Sequence, residues 1–205
     1  GGLWADVVAG KTPLVAQCQN PAAVLHLLKA TESYKNLRLV LFLAGESIAE
    51  TASQLKERRV RVILRPGLEL MPNTRDRFNP ARMLDEAGVE FAFSLSAKPP
   101  TPPAAGRFGA APPMPEEASE GTQYLAIDQD APLFPVAVLV KCGLPRQQAL
   151  EALTKRPAIL LGIDKTHGTI ETGKAADLLL FTGDPLDPNS RLRHTIIDGR
   201  IVHAN

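Results

Sequence analysis

Four hydrophobic runs in this chain end in polar or small side chains, and those endings are where chemistry would be sought. Leu14-Val15-Ala16 leads into Gln17, Cys18, Gln19 and Asn20, and Leu37 to Leu43 leads into Ala44, Gly45 and Glu46. Val60 to Leu64 leads into Arg65, with Arg75-Asp76-Arg77 further on, and Phe91-Ala92-Phe93 leads into Ser94, Leu95 and Ser96. These groups suit binding better than activation. The amides of Gln17 and Gln19 donate and accept hydrogen bonds but are uncharged and weak metal ligands. A serine hydroxyl is a poor nucleophile without an imidazole beside it, and neither Ser94 nor Ser96 has a histidine close in sequence. Glu46 reads as a first-turn helix acid or as an active-site carboxylate. Arg65 and Arg75-Asp76-Arg77 read as a solvated face or as a grip on an anionic ligand. The pocket-lining candidates are thus Gln17, Gln19, Leu43, Glu46, Arg65, Ser94 and Ser96, with no catalytic residue and no metal ligand assigned.

The remaining reactive residues are dispersed. His26 lies among Leu25, Leu27 and Leu28 on a helix, His167 lies in a turn, and His194 and His203 fall in the terminal strands, so all four histidines read as structural. Cys18 and Cys142 are far apart, match no metal spacing, and read as buried reduced thiols, with a single disulfide the alternative.

Composition narrows the field. Of the residues 44% are apolar, enough for a core, and 23 Lys and Arg against 22 Asp and Glu leave no net field to attract nucleic acid or an anionic membrane. The basic cluster Lys56-Glu57-Arg58-Arg59-Val60-Arg61 straddles a helix end, where cations complement the dipole. No apolar stretch approaches the ~18 residues of a membrane span. The start, Gly1-Gly2-Leu3-Trp4, has neither an initiator methionine nor a basic leader and reads as internal. A soluble, cytoplasmic setting is favoured, and export stays open.

The elements that must position these residues follow an αβ rhythm. Asn20-Pro21 and Asn79-Pro80 are cap and first-position signals for helices running to about Tyr34 and to Gly88. A helix from about Ser47 to Arg58 separates the second and third runs. Four strands alternating with helices predict a parallel sheet, with any site at the strands' C-terminal ends. Seven prolines between Pro99 and Pro115 predict a long excursion over about 98–121 without a helix, before order returns at Gln123 to Ile127. Helices are predicted over Leu133 to Lys141, Leu144 to Thr154 and Pro157 to Leu161. β logic then takes over: Ala176 to Phe181, Arg193 to Ile197 and Arg200 to His203 are strands, the last two joined by a tight Asp198-Gly199 turn.

The final third carries linked motifs: Ala149-Leu150-Glu151-Ala152-Leu153-Thr154 with Pro157-Ala158, Leu161-Gly162, Gly168-Thr169-Ile170-Glu171, Gly173-Lys174, Ala176-Asp177-Leu178 and Ile197-Asp198-Gly199-Arg200. Together they resemble the C-terminal part of the amidohydrolase superfamily, nearest to its imidazolonepropionase-like and dihydroorotase-like members. The resemblance implies α/β architecture: strands five to eight of a metal-dependent TIM-like (β/α)8 barrel over residues 1–165, and the C-terminal part of a small β-sandwich domain over 166–205. Leu14 to Asn20, Leu39 to Gly45, Val60 to Gly67 and Phe91 to Ala97 would be the exits of those four strands. The first four strands, with their His-x-His pair, would come from an N-terminal half on the same or a separate chain, or a homo-oligomer would cover the open edge.

By the same resemblance a metal-ligating histidine belongs at Gln17 or Gln19, a second at Leu43 or Ala44, and a metal-binding, water-activating aspartate at Leu95 or Ser96. None of these positions supplies imidazole or carboxylate. The sequence therefore implies a divergent amidohydrolase-like protein without a metal cofactor, serving as a small-molecule binder or scaffold. The alternatives are a metal-dependent hydrolase of cyclic amide or other non-peptide C–N bonds, with zinc held through the N-terminal half, and a purely structural or interaction module.

Overall fold

The computed structural model describes residues 2–71, 74–95 and 132–204. Ser96, the proline-rich excursion and the Gln123 to Ile127 segment lie outside them. A short helix, α1 (Leu3–Val8), precedes β1 (Leu14–Gln17), α2 (Pro21–Ala30), β2 (Leu39–Phe42), α3 (Gly45–Glu57) and β3 (Arg61–Leu64). A two-residue ladder of β4 (Glu69–Leu70) and β5 (Arg77–Phe78) follows, then α4 (Pro80–Ala87) and β6 (Phe91–Phe93). Helices α5 (Phe134–Lys141), α6 (Arg146–Leu153) and α7 (Lys155–Leu161) lead to β7 (Leu178–Phe181), β8 (Leu192–Ile197) and β9 (Arg200–Ala204).

The four hydrophobic runs form one parallel sheet in the order β1-β2-β3-β6, and the terminal strands form a separate antiparallel sheet in the order β7-β8-β9. Successive side chains on a strand alternate between faces. Leu39, Leu41, Val62, Leu64, Phe91 and Phe93 therefore point one way, into a core closed by Val24 and Leu28 of α2, Ile48 and Leu55 of α3, Leu84 of α4, and Val136 and Leu139 of α5. The other face carries Val40, Ile63 and Ala92, and against these Leu160 of α7 packs. On β1 that second face is open: Val15, the register partner of Val40, is 55% exposed.

Helix ends are closed by side chains the sequence foretells and by some it does not. Asn20 Oδ1 accepts the Ala23 N–H at 2.8 Å, and Gly88 stops α4 in the left-handed region at φ 67°. Helix α2 stops at Ala30, short of Tyr34: Thr31 leaves the helical path at φ −99° and ψ 7°, and its hydroxyl donates back to the Leu27 carbonyl. The basic cluster does more than meet its own dipole. Arg58 donates to the Leu28 and Thr31 carbonyls at the end of α2, at 3.1 and 3.2 Å, while Lys56 Nζ donates to the Gly88 carbonyl beyond α4. Three neighbouring helices are thereby tied at their C-terminal ends.

Asn79 has two duties. Its Oδ1 accepts the Arg82 N–H at 3.0 Å, starting α4, and its Nδ2 donates to the Leu139 carbonyl at 2.9 Å, closing α5. The residue is 8% exposed, so no water replaces these partners freely. Cys142, just past α5, is exposed, contrary to the buried thiol inferred from its apolar neighbours, because it sits at the helix C-cap rather than on the inward stripe. Cys18 is buried and free, and burial pushes its thiol pKa up.

The small sheet is closed by a hairpin in which Asp198 and Gly199 both have positive φ, 50° and 75°, the geometry of a type I′ turn. Asp177 Oδ1 accepts the Asp198 N–H at 2.8 Å. A second tie comes from the loop after β7. Asp184 receives Arg146 at the start of α6 through two bonds of 2.6 and 2.8 Å, and it accepts the Leu186 N–H at 2.9 Å, fixing Leu186 in the core. The Arg146 guanidinium and the Leu186 N–H hold the Asp184 carboxyl at about 2, below its ordinary 3.8.

Two outcomes follow. Asn79→Ala removes a helix cap and strands buried acceptors, and should lower unfolding free energy by about 2–4 kcal/mol in urea titrations. The Arg146–Asp184 pair should contribute above pH 3.8 and fade as pH falls through about 2, since the folded pKa is the depressed one. Thermal melts of the unaltered protein and Arg146→Gln should differ at neutral pH and converge near pH 2, with a smaller gap at high salt.

Candidate functional site

The C-terminal edge of the parallel sheet gathers the exits of β1, β2, β3 and β6. The ladders run one residue past the strands: Cys18 N–H bonds the Phe42 carbonyl at 3.2 Å, Leu43 N–H the Ile63 carbonyl at 3.0 Å, and Ser94 N–H the Leu64 carbonyl at 2.9 Å. Alternation then sorts the candidates. Gln17 pairs in register with Phe42 and shares the face of Val40, Ile63 and Ala92; Arg65 and Ser94 follow Ile63 and Ala92 on that same face. Gln17 is exposed, whereas Arg65 and Ser94 are half-buried, with Arg65 Nε and Nη2 shielded from solvent. Leu43 has the opposite parity, is 2% exposed and belongs to the helix-facing core, so the sheet turns it away from the others. Gln19 is exposed on the loop before α2, and Glu46 is exposed on the first turn of α3.

A half-buried carboxylate at this edge is one that sequence reasoning missed. Glu69, on β4, places Oε2 2.7 Å from the Gly45 amide at the start of α3, where no side chain of its own helix caps the terminus. Burial raises the Glu69 pKa above its ordinary 4.5, the Gly45 N–H opposes that rise, and Glu46 adds to it as a like charge. The close approach depends on glycine. A Cβ on Gly45 would lie 2.6 Å from Glu69 Oε2 and 3.0 Å from the Phe78 ring. A sequence signal existed in hindsight: a helix beginning at glycine, with no Ser, Thr, Asp or Asn before it, needs its cap from elsewhere.

The other titratable groups stay apart. His26 is exposed, His167 lies 3.5 Å from Asp177 at the small sheet, and Arg75, Asp76 and Arg77 are exposed on the β5 side of the short ladder. Among the described residues no three His, Cys, Asp or Glu side chains are grouped to hold a metal ion. A hollow lined by Arg61, Glu90, Phe91, Ala92, Arg156 and Leu160 lies at the opposite end of the sheet. There Arg156 stacks over Phe91 at 4.8 Å, and Arg61 pairs with Glu90 at 2.7 Å.

A parallel, barrel-like sheet wrapped by helices on one face, followed by a small antiparallel sheet, is an amidohydrolase-type architecture. The Amidohydrolase family model matches residues 17–202, and the chain belongs to that family. In solved structures, the amidohydrolase from Thermotoga maritima MSB8 is similar at 22% identity with a TM-score of 0.70, over 98% of this chain and 46% of that one. A prolidase complexed with N-methylphosphonate-L-proline is similar at 15% identity with a TM-score of 0.62, over 98% and 47%. A further amidohydrolase is similar at 18% identity with a TM-score of 0.61, over 98% and 46%. At these identities the likeness concerns the fold. The chain spans about half the length of these structures. No curated protein matches it.

The steric argument at Gly45 gives a direct outcome. Gly45→Ala should displace Glu69 and cost about 1–3 kcal/mol, as overpacking does. Combining it with Glu69→Ala should cost less than the sum of the two single changes, because the clash partner is gone. Urea denaturation of the four proteins checks both.

Proposed function

We propose that this chain is the C-terminal portion of a divergent amidohydrolase whose metal centre has degenerated, and that it acts as a small-molecule binder or scaffold. The observation that carries this reading is the donor set at the strand exits. A hydrolytic metal centre needs imidazoles or carboxylates around the ion and a base beside the attacking water. The β1 exit offers Gln17 and Gln19, the β2 exit Leu43 and Ala44, and the β6 exit Ser94 and Leu95. Amide, alkyl and hydroxyl groups do not fit that requirement. Glu69, a half-buried carboxylate at this edge, is bonded to a backbone amide.

In this reading residues 1–165 are the second half of the barrel and 166–205 its share of the small β domain. An N-terminal half, in the same or a separate chain, or a second copy covers the open β1 side of the inner face, where Val15 lies exposed. Gln17, Arg65 and Ser94 line the pocket so formed. Membership of the amidohydrolase family favours a second reading, a metal-dependent hydrolase of cyclic amide or other non-peptide C–N bonds with zinc ligands from the N-terminal half.

Metal analysis of the full protein separates the two. Degeneration predicts well under one equivalent of Zn, Fe or Mn, and no hydrolysis of cyclic amides after incubation with any of them. One tightly held equivalent that supports turnover would sink the first reading in favour of the second.

A further inference from the structure

The turn between β8 and β9 carries a chemically reactive pair. Of all the aspartates in the chain, only Asp198 is followed by glycine. Glycine has no side chain to shield its amide nitrogen. An Asp-Gly pair is therefore where a side-chain carboxyl is most open to attack by the nitrogen of the next residue. Both residues are exposed at the tip of the hairpin. Sequence and exposure favour that attack, and the fold opposes it.

The opposition lies on both sides of Asp198. Its own N–H donates to Asp177 Oδ1 at 2.8 Å, and the Gly199 N–H donates to the Ala176 carbonyl at 3.1 Å. Ala176 and Asp177, which lead into β7, thus hold the two amides that flank Asp198. The other carboxylate oxygen of Asp177 lies 3.5 Å from His167 Nε2, which orients it. With φ of 50° and 75°, the type I′ turn sets the peptide unit between Asp198 and Gly199. Attack needs that unit to rotate until the Gly199 nitrogen faces Asp198 Cγ, and it needs the nitrogen to lose its proton. The bond to the Ala176 carbonyl resists both.

We propose that Asp198 is a guarded self-modification site, kept as aspartate by the clamp of Ala176 and Asp177 and converted to isoaspartate when the hairpin end opens. Such local openings are a normal part of a native ensemble. In the open turn the Gly199 nitrogen, its proton passed to water, bonds to Asp198 Cγ. A carboxyl oxygen leaves as water, and a succinimide ring closes. Water then adds at Cγ, restoring aspartate, or at the main-chain carbonyl carbon of Asp198. The second route breaks that carbon's bond to Gly199 and leaves the chain running through Cγ. One water leaves and one returns, so the mass is unchanged and no other reactant is needed. The product has an extra carbon in its main chain, which a two-residue I′ turn does not accommodate. Pairing of Ile197 with Arg200 and of Ile196 with Ile201 is then lost. The chemistry is the same whether the protein hydrolyses, binds or scaffolds.

Ageing the full protein at neutral pH tests the guard. Trypsin cuts after Arg193 and Arg200 and releases residues 194–200 as one peptide. Chromatography with electron-transfer fragmentation then separates its aspartate and isoaspartate forms. The folded protein should accumulate isoaspartate at least about tenfold more slowly than the same chain held unfolded in urea. Asp177→Ala should speed the folded rate about fivefold, the factor that one lost hydrogen bond gives to the open population. Asp177→Asn keeps a side-chain oxygen for the Asp198 N–H and should restore most of the protection. Equal rates in the folded and unfolded chain would overturn the guard. So would an Asp177→Ala rate no faster than the unaltered one, or an Asp177→Asn rate as fast as Asp177→Ala. Should the variants fail to fold, the folded and unfolded rates of the unaltered protein still decide.

Discussion

Leu39, Leu41, Leu43, Val62, Leu64, Phe91 and Phe93 all face the helices, and removing that surface from water is the constraint to which the other features answer. In a parallel strand this commits every second residue to the core. Side chains at the strand ends that are free of this core therefore come from the other parity, the line that runs Gln17, Phe42, Ile63 and Ala92 toward Arg65 and Ser94. Leu43 shows the rule at work. It stands where a metal ligand would be placed by resemblance, yet its parity delivers it to the core, and a histidine there would need the chain to turn differently after β2. At that residue the helix-facing core occupies the position where the resemblance would place a ligand.

A second consequence concerns the helix termini, which end among apolar neighbours and need internal partners. The molecule answers by sharing. Asn79 opens one helix and closes another, Arg58 closes α2 from α3, and Glu69 caps α3 from a separate ladder. Each such contact converts a local requirement into a tertiary tie, so the polar residues of the interior serve assembly.

Much of this was legible in the sequence. Continuous apolar runs gave the parallel strands, Asn-Pro pairs gave two helix starts, Gly88 gave a stop, and Asp198-Gly199 gave a hairpin whose two residues take the required positive φ. What was hidden depends on partners distant in sequence. Glu69 meets an amide 24 residues earlier, and Asn79 a carbonyl 60 residues later; neither distance leaves a local pattern. The β4–β5 ladder has two residues on each side, too few for periodicity to register. The exposure of Cys142 turns on where α5 ends, and a helix end is less sharply written than a helix.

The candidate site was legible to a different degree, because residue type and residue direction are separate questions. Type was plain: glutamine, leucine, arginine and serine at four exits. Direction required the register, which joins Gln17 with Arg65 and Ser94 and removes Leu43. The carboxylate that reaches this edge comes from neither the strands nor the positions that family resemblance marks, but from a ladder folded back over α3. A group seated in that way answers to the electrostatics of its seat, burial first and the neighbouring Glu46 charge last. The acids of this edge, Glu69 and Glu46, thus sit on β4 and on the first turn of α3, while Gln17, Leu43, Arg65 and Ser94 at the strand ends carry no carboxylate.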